Sequence, residues 1–275
     1  MALNSHLLAS GRGWSVSDIV CGAGPHDRPF EEQHDSVCIA AVTQGTFQYR
    51  STLGAAVLAP GAVLLGNQGT CFECGHEHSI GDRCLSFHFA PEHVEGIVAA
   101  VPGARRAAFA VPRLPPLPAL VPLLAAAEAA RDDGDAAELE ELALRLAAAV
   151  AAAALAGAAR ASRSPRPRDA RRVTDALRRI EDEADASLTL ADLAREAAMS
   201  PYHFLRTFQQ VVGMTPHQFV LHSRLHRAAV RLRRSDEAVS AIAFDLGFND
   251  LSTFNRRFRR VTGLSPSAYR AARLS

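Results

Sequence analysis

The chain has 275 residues, 48% hydrophobic and 21% charged, which is enough to bury two ordinary cores and excludes a disordered polypeptide. Its 30 basic residues are all arginine and nearly balance 29 acidic ones. The net charge of +1 conceals a division: residues 1–165 hold 11 Arg against 17 Asp and Glu, whereas residues 166–275 hold 19 against 12.

The opening residues lack a basic start, an apolar run and a small-residue cleavage site, so no export is expected and the cytoplasm is the expected compartment. No membrane partner is expected either. The longest apolar tract, Leu142 to Ala159, is mostly alanine and is interrupted by Arg145. Five cysteines in a reducing compartment do not suggest a disulfide framework.

In chain order, residues 1–112 read as short strands. Val37 to Val42, Gly45 to Arg50, Ala62 to Leu65 and Leu85 to Phe89 are apolar runs punctuated by Gly, Pro, Asn and Asp, the pattern of a sandwich or barrel. Within this region lie Cys71, Cys74, His76 and His78, followed by Cys84 and His88. Two thiols and two imidazoles within eight residues, with Cys84 returning on a following strand, are a candidate ligand set for one tetrahedral borderline ion such as zinc. Cys71 and Cys74 have opposite parity along a strand, so such a site needs a turn, which Gly75 favours. A thiol redox switch and plain burial are the other two readings. Cys21 and Cys38 read as core residues, and His34 as lining a barrel mouth or lying on the surface.

Five prolines between Pro112 and Pro122 mark a boundary, and residues 113–160 read as a helical segment for packing or dimerisation. Leu123 to Ala130 and Glu138 to Ala159 are two helices joined by Asp132-Asp133-Gly134-Asp135. In the second, Leu139, Leu142, Leu146 and Val150 share one face, which packs on the chain's own barrel or on the same helix of a partner in a homodimer. Residues 161–169, with two prolines and no apolar anchor, read as a linker.

Residues 170–275 contain a duplication. Leu190 to Phe219 is echoed by Val239 to Tyr269: Leu193-Ala194 matches Ile242-Ala243, and Phe204, Phe208, Gly213, Pro216 and Phe219 match Phe254, Phe258, Gly263, Pro266 and Tyr269. The second copy has a turn one residue longer. Each copy is a short apolar helix, a turn, a polar cap and a helix with aromatics four apart, the plan of a helix-turn-helix DNA reader. Val173, Ala176, Leu177 and Ile180 predict the buried face of a first helix. Between the copies, Phe219 to Leu232 predicts a longer helix with Leu221, Leu225, Ala228, Ala229 and Leu232 as its apolar stripe.

The run Ile242-Ala243, Leu246-Gly247-Phe248, Phe254, Arg256, Phe258, Gly263, Ser265-Pro266 and Tyr269-Arg270 resembles the DNA-binding domain of AraC/XylS-family transcription regulators, a likeness covering residues 170–275. Less specifically, residues 1–112 resemble the cupin-like sensor domain of many family members. The resemblance implies a multidomain fold: a mainly-β cupin-like barrel with an α-helical extension, then an all-α double helix-turn-helix. It implies promoter DNA and RNA polymerase as partners, and a small-molecule, metal or oxidant effector. A metal-dependent cupin enzyme fused to a DNA-binding module is the alternative; no Ser/His/Asp set or Gly-rich phosphate loop is present, and the thiol content favours sensory or structural zinc over turnover.

Matching the helices assigns the reading residues. Tyr202, His203 and Arg206 face outward from the first copy, and Arg206 suits a bidentate contact with a guanine edge. In the second, Asn249 or Asp250 caps the helix, while Leu251, Ser252, Asn255 and Arg256 face outward. Leu251 stands where better-known relatives place a polar residue. Arg257, Arg259 and Arg260 read as phosphate clamps.

Overall fold

Runs of β-branched and aromatic residues set the first part of the chain. A computed structural model describes residues 3–76, 81–102, 108–155, 166–183 and 188–272. Its strands are β1 (Leu3–Gly11), β2 (Trp14–Cys21), β3 (Phe30–Gln33), β4 (Val37–Gly45), β5 (Phe47–Ser51), β6 (Gly54–Leu58), β7 (Val63–Gly66), β8 (Cys71–Gly75), β9 (Asp82–Phe89) and β10 (Arg113–Leu114). They pair antiparallel in two sheets, a six-stranded one in the order β1-β2-β9-β4-β7-β10 and a four-stranded one in the order β3-β8-β5-β6.

Side-chain alternation divides the larger sheet between two cores. Cys38, Ala40 and Val42 of β4 with Cys84 of β9 face the smaller sheet, where Phe47, Tyr49 and Leu58 meet them. Ile39 and Ala41, with Leu85, Phe87 and Phe89, face the opposite way into a core closed by helices. The first of these, α1 (Pro91–Ala99), corrects the all-strand expectation for residues 1–112: its Pro-Glu start suits a helix N-terminus, and Val94 and Val98, four apart, are its buried residues. The other two are α2 (Val121–Asp133) and α3 (Ala136–Leu155), which turn at Gly134, held at φ 70° where glycine is favoured. Leu139, Leu142, Leu146 and Val150 of α3 are buried in this same core, so the face packs on its own chain.

The described part of the second region begins at Arg166, and α4 (Pro167–Asp182) starts inside the stretch expected as linker, since Pro167 at the first helical turn favours helix entry. Residues 161–165 of that expected linker lie outside the described residues. There follow α5 (Leu190–Glu196), α6 (Pro201–Val212), α7 (Pro216–Arg234), α8 (Val239–Asp245), α9 (Leu251–Thr262) and α10 (Pro266–Ala271). Val173, Ala176, Leu177 and Ile180 of α4 are buried with the first reader, α5 and α6. Leu225, Ala228, Ala229 and Leu232 of α7 are buried with the second reader, α8 and α9, and Leu221 packs beside them half-buried. Among the described residues, no helix is long and apolar enough to cross a membrane.

Candidate nucleic-acid interface

Each reader is fixed by capping at one end and aromatic packing below. The Ser200 hydroxyl accepts from the His203 backbone N–H at 3.3 Å, with Pro201 opening α6. Asp250, rather than Asn249, caps α9, its carboxylate accepting from the N–H groups of Ser252 (3.0 Å) and Thr253 (2.8 Å). A hydrogen bond from the Thr253 side chain, followed by those two backbone bonds, holds the Asp250 carboxyl below its ordinary pKa. Both helices end at a glycine with positive φ, Gly213 at 95° and Gly263 at 80°. In the turn before the second reader helix Gly247 takes φ 77°; the matching residue of the first copy is Ala198, at φ 49°. There a side chain sits in the left-handed region that glycine enters without strain.

Phe204 and Phe208 are fully buried, their ring centroids 5.7 Å apart, and Phe208 meets Phe219 edge-on at 6.1 Å. The second reader repeats this with Phe254 and Phe258 at 5.5 Å, and Phe258 against Tyr269 at 5.4 Å. With these four-spaced aromatics turned inward, the helical period turns Tyr202, His203 and Arg206 outward on α6 and Ser252, Asn255 and Arg256 outward on α9, and all six are exposed. Tyr202 is 75% exposed, a large aromatic surface held in water. Leu251 departs from the outward expectation: it is half-buried against the core of the second reader, because an apolar side chain at the first position of α9 folds back onto that core. Arg257 is half-buried, whereas Arg259 and Arg260 are exposed. An open cleft of about 760 Å³ separates the readers, lined by Leu205, His217, Arg224, Asp250 and Arg257 among others.

Most described arginines of the domain outside the two reader helices are engaged by the protein. Arg178 pairs with Asp175, Arg179 with Glu183 and Glu196, Arg195 with Asp192, Arg231 with Glu237 and Asp245, and Arg233 and Arg234 with Glu138 and Asp132, while Arg172, Arg224, Arg227 and Arg270 donate to backbone carbonyls. Among the described residues, Arg206, Arg256, Arg257, Arg259 and Arg260 form no ion pair. Their charge is available to a polyanion, and the outward side chains between them share the same exposed face.

The sheets reach both readers. Arg113 of β10 donates from its guanidinium to the backbone carbonyls of Val211 (2.5 Å) and Val212 (3.1 Å), the last residues of α6. A cation there offsets the negative end of the helix. Burial lowers the Arg113 pKa to about 10, which leaves it charged at neutral pH. Sequence reasoning missed this residue, since nothing local to Arg113 marks a partner 98 positions away. On the second reader's side, Val121 and Ala125 of α2 enter the core of α8 and α9, and His226 bonds Glu128 at 2.5 Å.

The cysteine and histidine segment is arranged differently from its order in sequence. Cys71 is exposed and Cys74 half-buried on β8, while Cys84 is buried on β9. His78 lies outside the described residues. Of the five expected ligands, only His76 belongs to a compact ligand group among the described residues, and its companions there are Cys21 and Asp82. Strand parity separates Cys71 from Cys74, and no turn intervenes within β8 to reunite them. Cys21 is buried as expected of a core residue, but against polar neighbours. Burial opposes charge on His76, but its hydrogen bonds to Asp82 and Cys21 together outweigh it and raise the imidazole pKa to about 9. Burial pushes the Cys74 and Cys84 thiols up. His34 is buried, bonded to the Tyr49 hydroxyl at 2.9 Å and stacked on Phe72, and burial lowers its pKa to about 4.

A protein-family model described as a helix-turn-helix domain matches residues 193–272. The chain is 35% identical over 102 residues to the transposon Tn10 TetD protein of Escherichia coli, covering 37% of this chain and 74% of that protein. It is 33% identical over 98 residues to the regulatory protein SoxS of Escherichia coli, covering 36% of this chain and 92% of that one. Against several longer curated regulators the match spans about a third of their length. A crystal structure of the DNA-binding domain of AdpA in complex with a target DNA is similar over 36% of this chain and 90% of that one, at 31% identity and a TM-score of 0.35. With two capped, aromatic-packed readers in tandem and the two Escherichia coli relatives matched over 74% and 92% of their length, the chain belongs to the AraC family of helix-turn-helix transcription regulators.

Proposed function

We propose that this chain regulates transcription by binding promoter DNA through α6 and α9, and that its two-sheet region receives an effector and passes the signal to the readers. The observation that carries the first part is the pair of exposed, capped reader helices whose arginines form no ion pair among the described residues, in a domain where most other described arginines bond acids or backbone carbonyls. Arg206 and Arg256 are the base-reading residues, aided by Tyr202, His203, Ser252 and Asn255; Arg257, Arg259 and Arg260 hold phosphate. What supports coupling is Arg113, through which a strand of the larger sheet grips the end of a reader helix. A small molecule, a metal or an oxidant acting on the sheets can then bias the placement of α6. RNA polymerase, a second copy of the chain and a cytoplasmic setting complete the reading. We read the chain as a regulator rather than an enzyme, as the curated relatives it matches are regulators.

The test uses the full chain and a duplex selected from a random pool. Arg206→Ala is expected to weaken specific binding roughly 5- to 150-fold, equivalent to about 1–3 kcal/mol, with a much smaller loss on unrelated DNA. Equal losses on both would make Arg206 a phosphate contact. Arg256→Ala measured in the same way tests base reading by α9.

A further inference from the structure

Cys21, His76 and Asp82 meet at one end of the space between the two sheets. Cys21 is the last residue of β2 and Asp82 the first of β9, and the two are direct cross-strand partners in the larger sheet. His76 follows β8 immediately and so comes from the smaller sheet. Their potential ligand atoms all lie within 4.8 Å of one another, and His76 Nε2 is 2.5 Å from Asp82 Oδ2. The His76 and Asp82 side chains are 2% and 7% exposed, and Cys21 is 6% exposed. A thiol, an imidazole and a carboxylate from the two sheets thus form one compact, buried ligand set.

We propose that Cys21, His76 and Asp82 bind one divalent zinc-class ion. Sulfur, imidazole nitrogen and carboxylate oxygen are the three donor types that such an ion accepts, and two anionic ligands with one neutral ligand match its charge. On binding, the ion replaces the proton shared between His76 Nε2 and Asp82, and Cys21 binds as the thiolate. Both protons leave to solvent. Three protein ligands leave a fourth position open to water or to an exogenous donor. Cys84, two residues beyond Asp82 on β9, donates from Sγ to Asp82 Oδ1 at 3.4 Å. It is a positioning residue, holding the carboxylate oxygen that the ion does not use. Because the ligands come from both sheets, the ion clips the sheets together at that end. The site differs from the cysteine-histidine run in the sequence, which shares only His76 with it. It is independent of whether the readers bind DNA.

The experiment titrates zinc alone into full-length, tag-free protein in competition with a chromophoric chelator, and repeats the titration with cobalt to read thiolate-to-metal charge transfer. One tight equivalent is expected, with a charge-transfer band in the wild-type protein. Cys21→Ser is expected to abolish the band and Asp82→Asn to release the metal to the chelator. Cys71→Ser is expected to leave both unchanged, and Cys84→Ala to weaken binding about 10- to 100-fold. Wild-type protein that takes no zinc from the chelator overturns the proposal, and this measurement does not depend on any variant folding. So does a charge-transfer band that survives Cys21→Ser but is lost in Cys71→Ser, which would place the ion on β8. DNA affinity measured on the same samples reports separately on the regulator reading.

Discussion

His222 gives the sharpest test of how the two regions meet. It lies on the buried side of α7, 7% exposed, where a side chain added to Gly61 of the sheet region would collide with its ring. Burial, then the neighbouring His226, lowers its pKa from 6.5 to about 4. The imidazole is therefore kept neutral in the folded chain but takes up a proton readily when unfolded. The unfolded state binds more protons between these two values, so stability is complete above pH 6.5 and falls as pH drops toward 4. At pH 5 the unfolded His222 is almost wholly protonated, and the difference of 1.5 pH units from 6.5 amounts to a loss of about 2 kcal/mol. Urea unfolding of the wild type and of His222→Gln at pH 7.5 and pH 5 measures it: the wild type is expected to lose about 2 kcal/mol more than the variant between the two conditions. The variant should keep a residual slope, because His34 is neutral in the folded state for the same reason. Identical pH dependence in the two proteins would mean that His222 is hydrated and that the regions do not close over it.

Ser200→Ala removes the cap of α6 and is expected to cost about 1 kcal/mol in the same unfolding assay, while Ser200→Asp retains most of it. Ala198→Gly relieves the left-handed backbone before α6 and is expected to raise stability by about 0.5–1 kcal/mol; the same change at Ala194, mid-helix and fully buried, should lower it by about 2 kcal/mol. Arg113→Ala leaves two carbonyls at the end of α6 without their charged donor. A loss of about 2–3 kcal/mol in unfolding, with faster amide exchange in α6 than in α9, is the expected result. Equal exchange in the two helices would sever the link between β10 and the first reader.

The readers were legible in sequence because their determinants are local. Aromatics four apart, a cap before each helix and a glycine after it define both the helix and the face it shows to solvent, so Arg206 and Arg256 could be placed outward without coordinates. Leu251 escaped this logic, since its position on the helix does not say that an apolar core lies within reach. The sheet region was legible only where strands are buried. Strand β1 is almost wholly exposed and has no apolar alternation to read, and α1 buries just Val94 and Val98, too little for a helical period to stand out among strands. The cysteine and histidine run illustrates the opposite error. Neighbours along a strand point to opposite faces, so closeness in sequence suggested partners that the pleat divides, while Cys21 meets Asp82 through strand pairing and His76 reaches both from the other sheet, neither of which a local pattern encodes.

Helix α2 is a party wall. Val121 and Ala125 belong to the interior of the second reader, while Leu124, Ala126 and Ala127 belong to the interior beneath the larger sheet. Neither room can be refurnished without moving the other's plaster, whereas the first reader hangs from its neighbour by the Arg113 bracket and a small patch around Ala59. Such an arrangement makes the tandem asymmetric: the second reader has a helix in common with the interior beneath the larger sheet, whereas the first, among the described residues, is joined to the sheets by side-chain contacts alone. A substitution in α2 is therefore felt on both of its sides, and one in β10 at the first reader.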